Sequence, residues 1–324
     1  MALDLDAFQK TYVYEARAPV PEVLADLKAV AELDARAERK RRTLWIAAWS
    51  LMVFSLVAAA LLSLVVGQLS FAQQDAWGGM PFVVAVASFV AGIVLFILRA
   101  RASRTDLDNR RYDLVATLLK RFQVDLDASA PVAVKLDLAP ADDARKRVGT
   151  PKRGRWECED FTDAWLSLHG RFADGTHLHL SAVERLQKRK RYGRSRSGRT
   201  KLKTKRKGRT LLQVGLRVKP ERFPGLADLG PAAKQAVKLP PGVALSRLDV
   251  AKDRVELRAL MDEEWVARAP RTPAPSEVHP SRGPRPREPS KTDASRTATM
   301  MLLSLYQVLH HSSARARPGG RSTP

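Results

Sequence analysis

The chain has 324 residues, and its 56 Lys and Arg against 34 Asp and Glu give a formal net charge of +22. Such a balance favours anionic partners and leaves the fold open. The one cysteine, Cys158, excludes an intramolecular disulfide framework and a cysteine-rich metal site. Ala and Arg are abundant, as in proteins from GC-rich bacterial genomes, so we expect a bacterial protein.

Residues 1–42 form an N-terminal segment with one predicted element. Residues 1–20 show no clear pattern. Residues 21–42 begin with Pro, carry acidic residues early and basic residues at the end, which is typical of a helix. The apolar stripe of this helix consists of Val23, Leu27, Val30 and Leu33. The sequence therefore predicts an amphipathic helix that leads into the segment after it.

Two apolar segments predict a transmembrane helical hairpin at residues 43–98. Residues 43–66 are 24 residues without a charge, and residues 81–98 are 18. A helix rises about 1.5 Å per residue, so a hydrocarbon core of about 30 Å takes about 20 residues. A cleavable signal peptide does not fit, because the first segment begins more than 40 residues into the chain. Both segments are predicted spans, with a short external connector at residues 67–80 and the lipid bilayer as a partner.

Basic residues flank the predicted hairpin at its two outer ends. The connector contains no Lys or Arg, whereas the outer flanks contain Arg36, Arg39, Lys40, Arg41, Arg42, Arg99, Arg101 and Arg104. Positive residues stay on the cytoplasmic side of a membrane. The sequence therefore predicts an integral protein of the cell (inner) membrane, with two spans and with both termini in the cytoplasm.

Residues 99–268 predict a cytoplasmic α+β domain with a largely antiparallel sheet. A helix at residues 105–122 places four apolar residues on one face, and the apolar period then changes from 3.6 to 2 at residues 132–138, which indicates a strand. Two hairpins follow, one turning at residues 173–175 and one around residues 252–253. The helix residues are Leu107, Leu114, Leu118 and Phe122.

Three histidines fall on the outward face of the first predicted hairpin. A three-residue turn places His169 opposite His179, and His177 follows on the same face. Clustered neutral imidazoles are ligands for zinc. The same register places Arg171 opposite His177, so a cation would lie inside such a metal site. We therefore favour the alternative that the three histidines belong to an exposed polar face. No other metal or cofactor site is predicted.

Residues 187–209 form a block in which 13 of 23 residues are basic and none is acidic. Because it lies between two predicted strands, the block reads as a long, extended inter-strand loop. Anionic lipid headgroups are the partner that we favour, nucleic acid is the rival, and a solubilising loop is the third alternative. The basic residues are Lys188, Arg189, Lys190, Arg191, Arg194, Arg196, Arg199, Lys201, Lys203, Lys205, Arg206, Lys207 and Arg209.

The C-terminal region divides into a linker and a short helix. Residues 269–297 are rich in Pro and Arg, which predicts a disordered linker. Residues 298–324 begin with an apolar run that is too short to span a membrane. We expect this run to form a helix that docks on the domain, on a partner or on the membrane surface.

The sequence contains no catalytic motif that names a reaction. Cys158 has acidic neighbours, which disfavour a reactive thiolate, so we interpret it as a core residue. The fold and charge together predict a membrane-anchored cytoplasmic interaction or scaffold module whose basic loop contacts an anionic surface. The alternatives are a membrane-tethered nucleic-acid-binding protein and an enzyme without a recognisable motif. The sequence does not decide whether a protein partner or a homo-oligomer is involved.

Overall fold

The computed structural model describes residues 4–66, 80–102, 107–194, 198, 200–268 and 291–316. The chain divides into two compact units. One unit contains Met1–Leu27 and Asp108–Pro324, and the other contains Lys28–Leu107. Most of the predicted connector, most of the predicted linker and the C-terminal tail lie outside the described residues.

Two long helices contain the predicted membrane segments. Helix α2, Val20–Val66, is continuous, so the predicted amphipathic helix and the first apolar segment form one element. Its stretch Val20–Leu61 includes a window with mean hydropathy 2.1 that is 11 % buried, which is long and apolar enough to cross a membrane. The second apolar segment lies in α3, Met80–Ala102. In the described part of the chain, one helix near the N-terminus qualifies as a candidate span. This finding does not show the predicted hairpin of two spans.

Helices α2 and α3 contact each other within the second unit. The Trp49 and Phe96 rings meet edge to face, with centroids 6.2 Å apart. A Cβ atom added at Gly92 would lie 3.1 Å from Cγ of Met52, so glycine permits this close approach of the helices. The surface of both helices carries exposed large apolar side chains.

The first unit is built on an antiparallel sheet of nine strands in the order β1-β2-β5-β6-β7-β9-β8, with β3 and β4 pairing with β5. This confirms the predicted α+β class with a largely antiparallel sheet. The strands are β1 Val13–Ala18, β2 Val132–Asp137, β3 Arg147–Gly149, β4 Lys152–Arg153, β5 Trp156–Arg171, β6 His177–Arg194, β7 Thr200–Arg217, β8 Ala244–Val250 and β9 Arg254–Asp262. The other α-helices are α1 Leu5–Thr11, α4 Asn109–Phe122, α5 Gly230–Ala236 and α6 Ala294–Ala316.

Both predicted hairpins have the predicted register. In the first, His169 lies opposite His179, and the Phe172 N–H donates to the Thr176 carbonyl at 2.8 Å. Gly175 has φ +84°, the left-handed conformation that a three-residue turn requires. In the second hairpin, Val250 lies opposite Val255.

The predicted basic loop is wrong, because most of the block is β-structure. Strands β6 and β7 pair without a break from His177 opposite Arg217 to Arg194 opposite Thr200. The apolar pairs at the base of the hairpin set the register, and the ladder continues through the charged residues because each further pair satisfies two more backbone groups. The charged side chains do not prevent this, since they project to the two sides of the ribbon.

Other predicted boundaries also change. Helix α4 begins at Asn109, with Asp108 as its N-cap, rather than at residue 105. The side chain of Asp108 accepts from the Arg110 N–H at 3.2 Å, which satisfies a free N–H of the first turn. Residues 1–20, for which the sequence predicts no element, contain α1 and the edge strand β1.

Helices α4 and α6 cover one side of the sheet and enclose the core. We call this the core side; it carries Leu180, Leu212 and Leu257, all fully buried. Trp165 and Trp265 stack there, with ring centroids 5.7 Å apart. The other side, which carries His179, Ser181 and Gln213, is called the open side, and its side chains are half-buried or exposed.

A cluster of buried charges joins α4 to the core side of the sheet. The Arg111 guanidinium, 1 % exposed, lies 2.7 Å from the Asp163 carboxylate and 2.8 Å from the Glu184 carboxylate. The Lys146 ammonium lies 2.9 Å from Asp163 and 3.1 Å from Asp137. Buried charges are tolerated when they are paired in this way. The cluster therefore fixes the position of α4 on the sheet.

The C-terminal helix docks on the sheet unit, as one of the predicted alternatives has it. It begins at Ala294, so the predicted linker boundary at residue 297 is wrong. The Asp293 side chain accepts from the Arg296 N–H at 2.8 Å and starts the helix. Helix α6 packs against α4, β7 and β9. Its buried apolar residues are Ala294, Ala298, Met301, Leu302, Leu305, Val308 and Leu309.

Candidate polyanion-binding arm

The basic arm consists of residues 187–194 of β6 and residues 200–209 of β7. The β6–β7 ladder contains 18 residues in each strand, which at about 3.4 Å per residue is about 60 Å. Strand β5 accompanies β6 only as far as Lys190, and β9 accompanies β7 only as far as Arg209. The outer part of the arm is therefore a two-stranded ribbon without neighbouring strands.

The strand geometry divides the predicted anionic-surface residues between the two faces of the arm. Side chains alternate along each strand, and directly opposite residues share a face. On the face that continues the core side are Lys188, Lys190, Arg194 and Arg206. On the face that continues the open side are Arg189, Arg191, Lys201, Lys203, Lys205, Lys207 and Arg209. Arg196 and Arg199 lie outside the described residues.

Carboxylates neutralise most of the cations on the core-side face. Lys188 pairs with Asp142, Lys190 lies 3.6 Å from Glu159, and Arg206 lies 2.6 Å from Glu263. The hydrogen bond from Lys188 lowers the pKa of Asp142. This face is therefore a set of internal ion pairs.

The open-side face has the opposite character. Within the described chain, none of its seven cations has a carboxylate within the 4.0 Å of an ion pair. Arg189 lies directly opposite Lys205, and Arg191 lies directly opposite Lys203. Like charges directly opposite in a ladder are destabilising. A bound polyanion would relieve this repulsion, which makes the open-side face the candidate binding surface.

One aromatic ring on the neighbouring strand contacts two cations of this face. The Arg191 guanidinium lies 4.6 Å and the Lys205 ammonium 5.7 Å from the centroid of Trp156. Such cation–π contacts hold the two cations in place. The same two cations lie over the Trp156 ring, where they compete with a nucleic-acid base for stacking.

The predicted histidine cluster is only partly assembled. The Nδ1 atoms of His169 and His179 are 3.2 Å apart. His177 lies two pairs further along the ladder, opposite both Arg171 and Arg217. Among the described residues, no group of three His, Cys, Asp or Glu side chains is arranged to hold a metal ion. His169 and His177 are exposed and His179 is half-buried.

The sequence reasoning missed residues beyond the ends of the basic block. Arg185 lies on the same face as Arg189 and Arg191 and opposite Arg209. The signal was present, because the period of two continues through Val183, Arg185 and Gln187 into the block. Trp156, on the neighbouring strand, had no such signal, since its contact with the arm depends on the β5–β6 register.

Comparison with known proteins found no matching family model, no matching curated protein and no matching solved structure. The geometry of the arm and the sequence of the chain are therefore the basis for a function.

Proposed function

We propose that the chain is a membrane-anchored cytoplasmic interaction module whose basic arm contacts anionic lipid headgroups. The observation that carries the proposal is the open-side face of the arm, where seven described cations lack carboxylate partners. Each Lys or Arg near an anionic leaflet contributes on the order of 1 kcal/mol, within a Debye length of about 8 Å. Several cations on one face act on such a surface together.

The apolar helices supply the anchor in this proposal. Helix α2 holds the candidate span, and α3 carries large apolar side chains that are exposed, among them Val83, Phe89 and Val90 at 62 %, 50 % and 52 %. Exposed apolar rows of this kind are expected of helices that face lipid. Because the anchor keeps the arm at a high effective concentration near the leaflet, the contact orients the domain more than it retains the protein at the membrane.

Strand pairing in the sheet unit favours two spans over one. Strand β1 precedes α2 in the chain, and its partner β2 follows α3. Paired strands lie about 5 Å apart, whereas a bilayer core is about 30 Å thick, so both strands belong on the same side of any membrane. The chain then crosses an even number of times between Ala18 and Val132. If α2 crosses, α3 crosses as well.

Lipid is favoured over nucleic acid by the aromatic residues of the arm. Two cations lie over the Trp156 ring, and the exposed aromatic of the arm is Tyr192, at 70 %. Single-strand binders rely on several aromatic rings as stacking platforms. Contacts to phosphates alone would give affinity for nucleic acid that does not depend on aromatic stacking.

A label on the arm tests the proposal in full-length protein reconstituted in nanodiscs. Gly193→Cys introduces a labelling site where an added Cβ meets no atom within 4 Å, and the native Cys158 is buried. We expect headgroup-level quenchers to quench a fluorophore at residue 193 in anionic discs and not in neutral discs. The same label at Val124→Cys, an exposed position outside the arm, is the control.

The arm charges are tested by a triple replacement of Lys201, Lys203 and Lys205 by Gln. These lysines are exposed and have no carboxylate partner, so the fold is expected to remain. Quenching in anionic discs should fall to the neutral-disc level. Quenching that is equal in both kinds of disc, or that survives the replacement, contradicts the proposal. Displacement of the arm from anionic discs by duplex DNA at physiological salt would favour the nucleic-acid alternative instead.

A further inference from the structure

A groove lies on the open side of the sheet at the base of the basic arm. Its cavity volume is about 860 Å³, within the range of small-molecule sites. Seven of its lining residues are cations, and one lining residue, Asp160, is acidic. The cations are Arg153, Arg185, Arg189, Lys207, Arg209, Arg247 and Arg258.

Two pairs of arginines face each other directly across strands in this groove. Arg185 lies opposite Arg209 on β6 and β7, and Arg247 lies opposite Arg258 on β8 and β9. Each pair places two guanidinium groups side by side on one face, which is unfavourable in the absence of an anion. Arg247 and Arg258 have carboxylates nearby on Asp249 and Glu256, so it is the Arg185–Arg209 pair that favours a bound anion.

The nearby carboxylates leave part of this charge without a partner. Asp160 accepts from Gln187 and lies 3.7 Å from Arg153. Arg247 and Arg258 have carboxylates at 2.8 Å and 3.8 Å, on Asp249 and Glu256. Asp262 lies opposite Arg209 without forming an ion pair. Among the described residues, Arg185, Arg189, Lys207 and Arg209 have no carboxylate within ion-pair distance.

The groove differs from the outer arm in the kind of cation. Six of its seven cations are arginines, whereas the open-side cations of the arm outside the groove are Arg191, Lys201, Lys203 and Lys205. A guanidinium donates two parallel hydrogen bonds to a phosphate, and an ammonium acts as a point charge. The arm therefore suits diffuse contact with a charged surface, and the groove suits recognition of an individual phosphate.

The floor of the groove is apolar. Leu211 and Leu260 lie directly opposite each other, half-buried, in the row between the two arginine pairs. The two pairs are four residues apart along the strands, which is about 14 Å. An apolar floor between two cationic walls fits a ligand that carries a terminal phosphate on a less polar body.

We propose that this groove binds a phosphomonoester group. A phosphomonoester carries close to two negative charges and three terminal acceptor oxygens, so two arginine forks are able to bind it at once. The source of the phosphomonoester rests on the proposed function, under which the group belongs to a lipid headgroup. A soluble phosphate ester offers the same chemistry.

Calorimetric titration of the full-length chain with pyrophosphate in neutral detergent at physiological salt tests the groove. Arg185→Gln with Arg209→Gln should weaken binding by about tenfold or more, because both forks of one pair are lost. Lys201→Gln with Lys203→Gln removes the same net charge from the arm and should change the affinity by less than about twofold. Equal losses in the two charge-matched variants, or no titratable binding, would overturn the proposal. If the double groove variant fails to melt cooperatively, the exposed Arg185→Gln alone replaces it with the same expected direction.

Nanodiscs with equal mole fractions of phosphatidic acid or phosphatidylglycerol identify the source of the phosphate. Quenching at residue 193 should be stronger with phosphatidic acid, and the groove variant should remove that preference. Pyrophosphate binding without a phosphatidic acid preference would overturn the headgroup assignment and indicate a soluble ester. If pyrophosphate still binds but no disc quenches the label, the proposed arm contact is wrong and the groove proposal stands.

Discussion

Arg111 combines almost complete burial with two carboxylate partners, Asp163 and Glu184. Removing one partner of a buried ion cluster leaves uncompensated charge in a low-dielectric interior. We therefore predict that Arg111→Met lowers the free energy of unfolding by roughly 3–5 kcal/mol. Urea unfolding of the full-length chain in neutral detergent, followed by tryptophan fluorescence, measures the change.

Arg121→Met on the same helix is the matched control. Arg121 is exposed and donates to the Thr299 hydroxyl at 3.0 Å, so its replacement should cost less than about 1 kcal/mol. Similar losses for the two variants would show that the buried cluster is not what holds α4. The cluster itself was beyond prediction from sequence, because nothing distinguishes Arg110 from Arg111 until the helix face that meets Asp163 and Glu184 is known.

Gly175 is the second residue whose conformation has a measurable consequence. Its φ of +84° is one that a β-branched residue resists, so we predict that Gly175→Val lowers stability by about 1 kcal/mol or more. The melting temperature of the full-length chain is the measurement. Gly193→Val is the control, since Gly193 lies in a strand with open space around its Cα and should tolerate valine. An unchanged melting temperature for Gly175→Val would mean that the turn is not the one described.

His179 makes stability depend on pH. Burial, and then the nearby charge of His169, lower the pKa of His179 below its ordinary value, and the carboxylate of Glu256 offsets this only in part. The unfolded chain therefore binds the proton first as the pH falls below about 6.5, and stability is lost in that range. We predict that His179→Asn loses less melting temperature than the wild type between about pH 7.5 and 5.5. Equal losses would show that the histidine contact does not titrate in this way.

Among the elements, the basic arm separates into a base that belongs to the sheet and a tip that does not. Among the described residues, 191–194 pair only with 200–203, whereas the base contacts β5 and β9. We predict that joining Lys190 to Thr204 by Asn-Gly leaves the melting temperature within a few degrees, because that turn closes a directly opposite pair. Replacing all of residues 187–209 by Gly and Ser should lower it further, since the ion pairs of Lys188 and Arg206 are lost. Equal effects would show that the arm is one cooperative unit.

Alternation of large apolar residues was enough to predict β2, both hairpins and their registers. It failed for β1, whose buried positions are Tyr14 and the small Ala18, because small side chains give a weak pattern. It failed for the arm because a run of Lys and Arg contains no apolar alternation at all. The groove at its base was also hidden, since it depends on β9 lying beside β7 rather than on any local pattern.

For the whole molecule, the proposed topology depends on the parity of the membrane crossings. Glu15 of β1 lies opposite Lys135 of β2, and their side chains form an ion pair at 2.9 Å. Opposite residues in an antiparallel ladder are about 4.5–5.5 Å apart at Cα, which is within the range of a disulfide. Cysteines introduced at these two positions should therefore crosslink when membranes that contain the full-length chain are oxidised.

Deletion of α3, residues 80–102, turns this crosslink into a test of topology. With α2 as the remaining span, the number of crossings is odd, and β1 and β2 are left on opposite sides of the bilayer. We predict that the crosslink between residues 15 and 135 disappears in this variant. The basic residues before the span keep β1 in the cytoplasm, so residue 135 of β2 becomes accessible to a membrane-impermeant thiol reagent from outside. Lys135→Cys alone, in the intact chain, is the control and should remain protected from that reagent. A crosslink that persists after the deletion would show that α2 and α3 do not both cross, and the cytoplasmic, two-span arrangement would then be wrong.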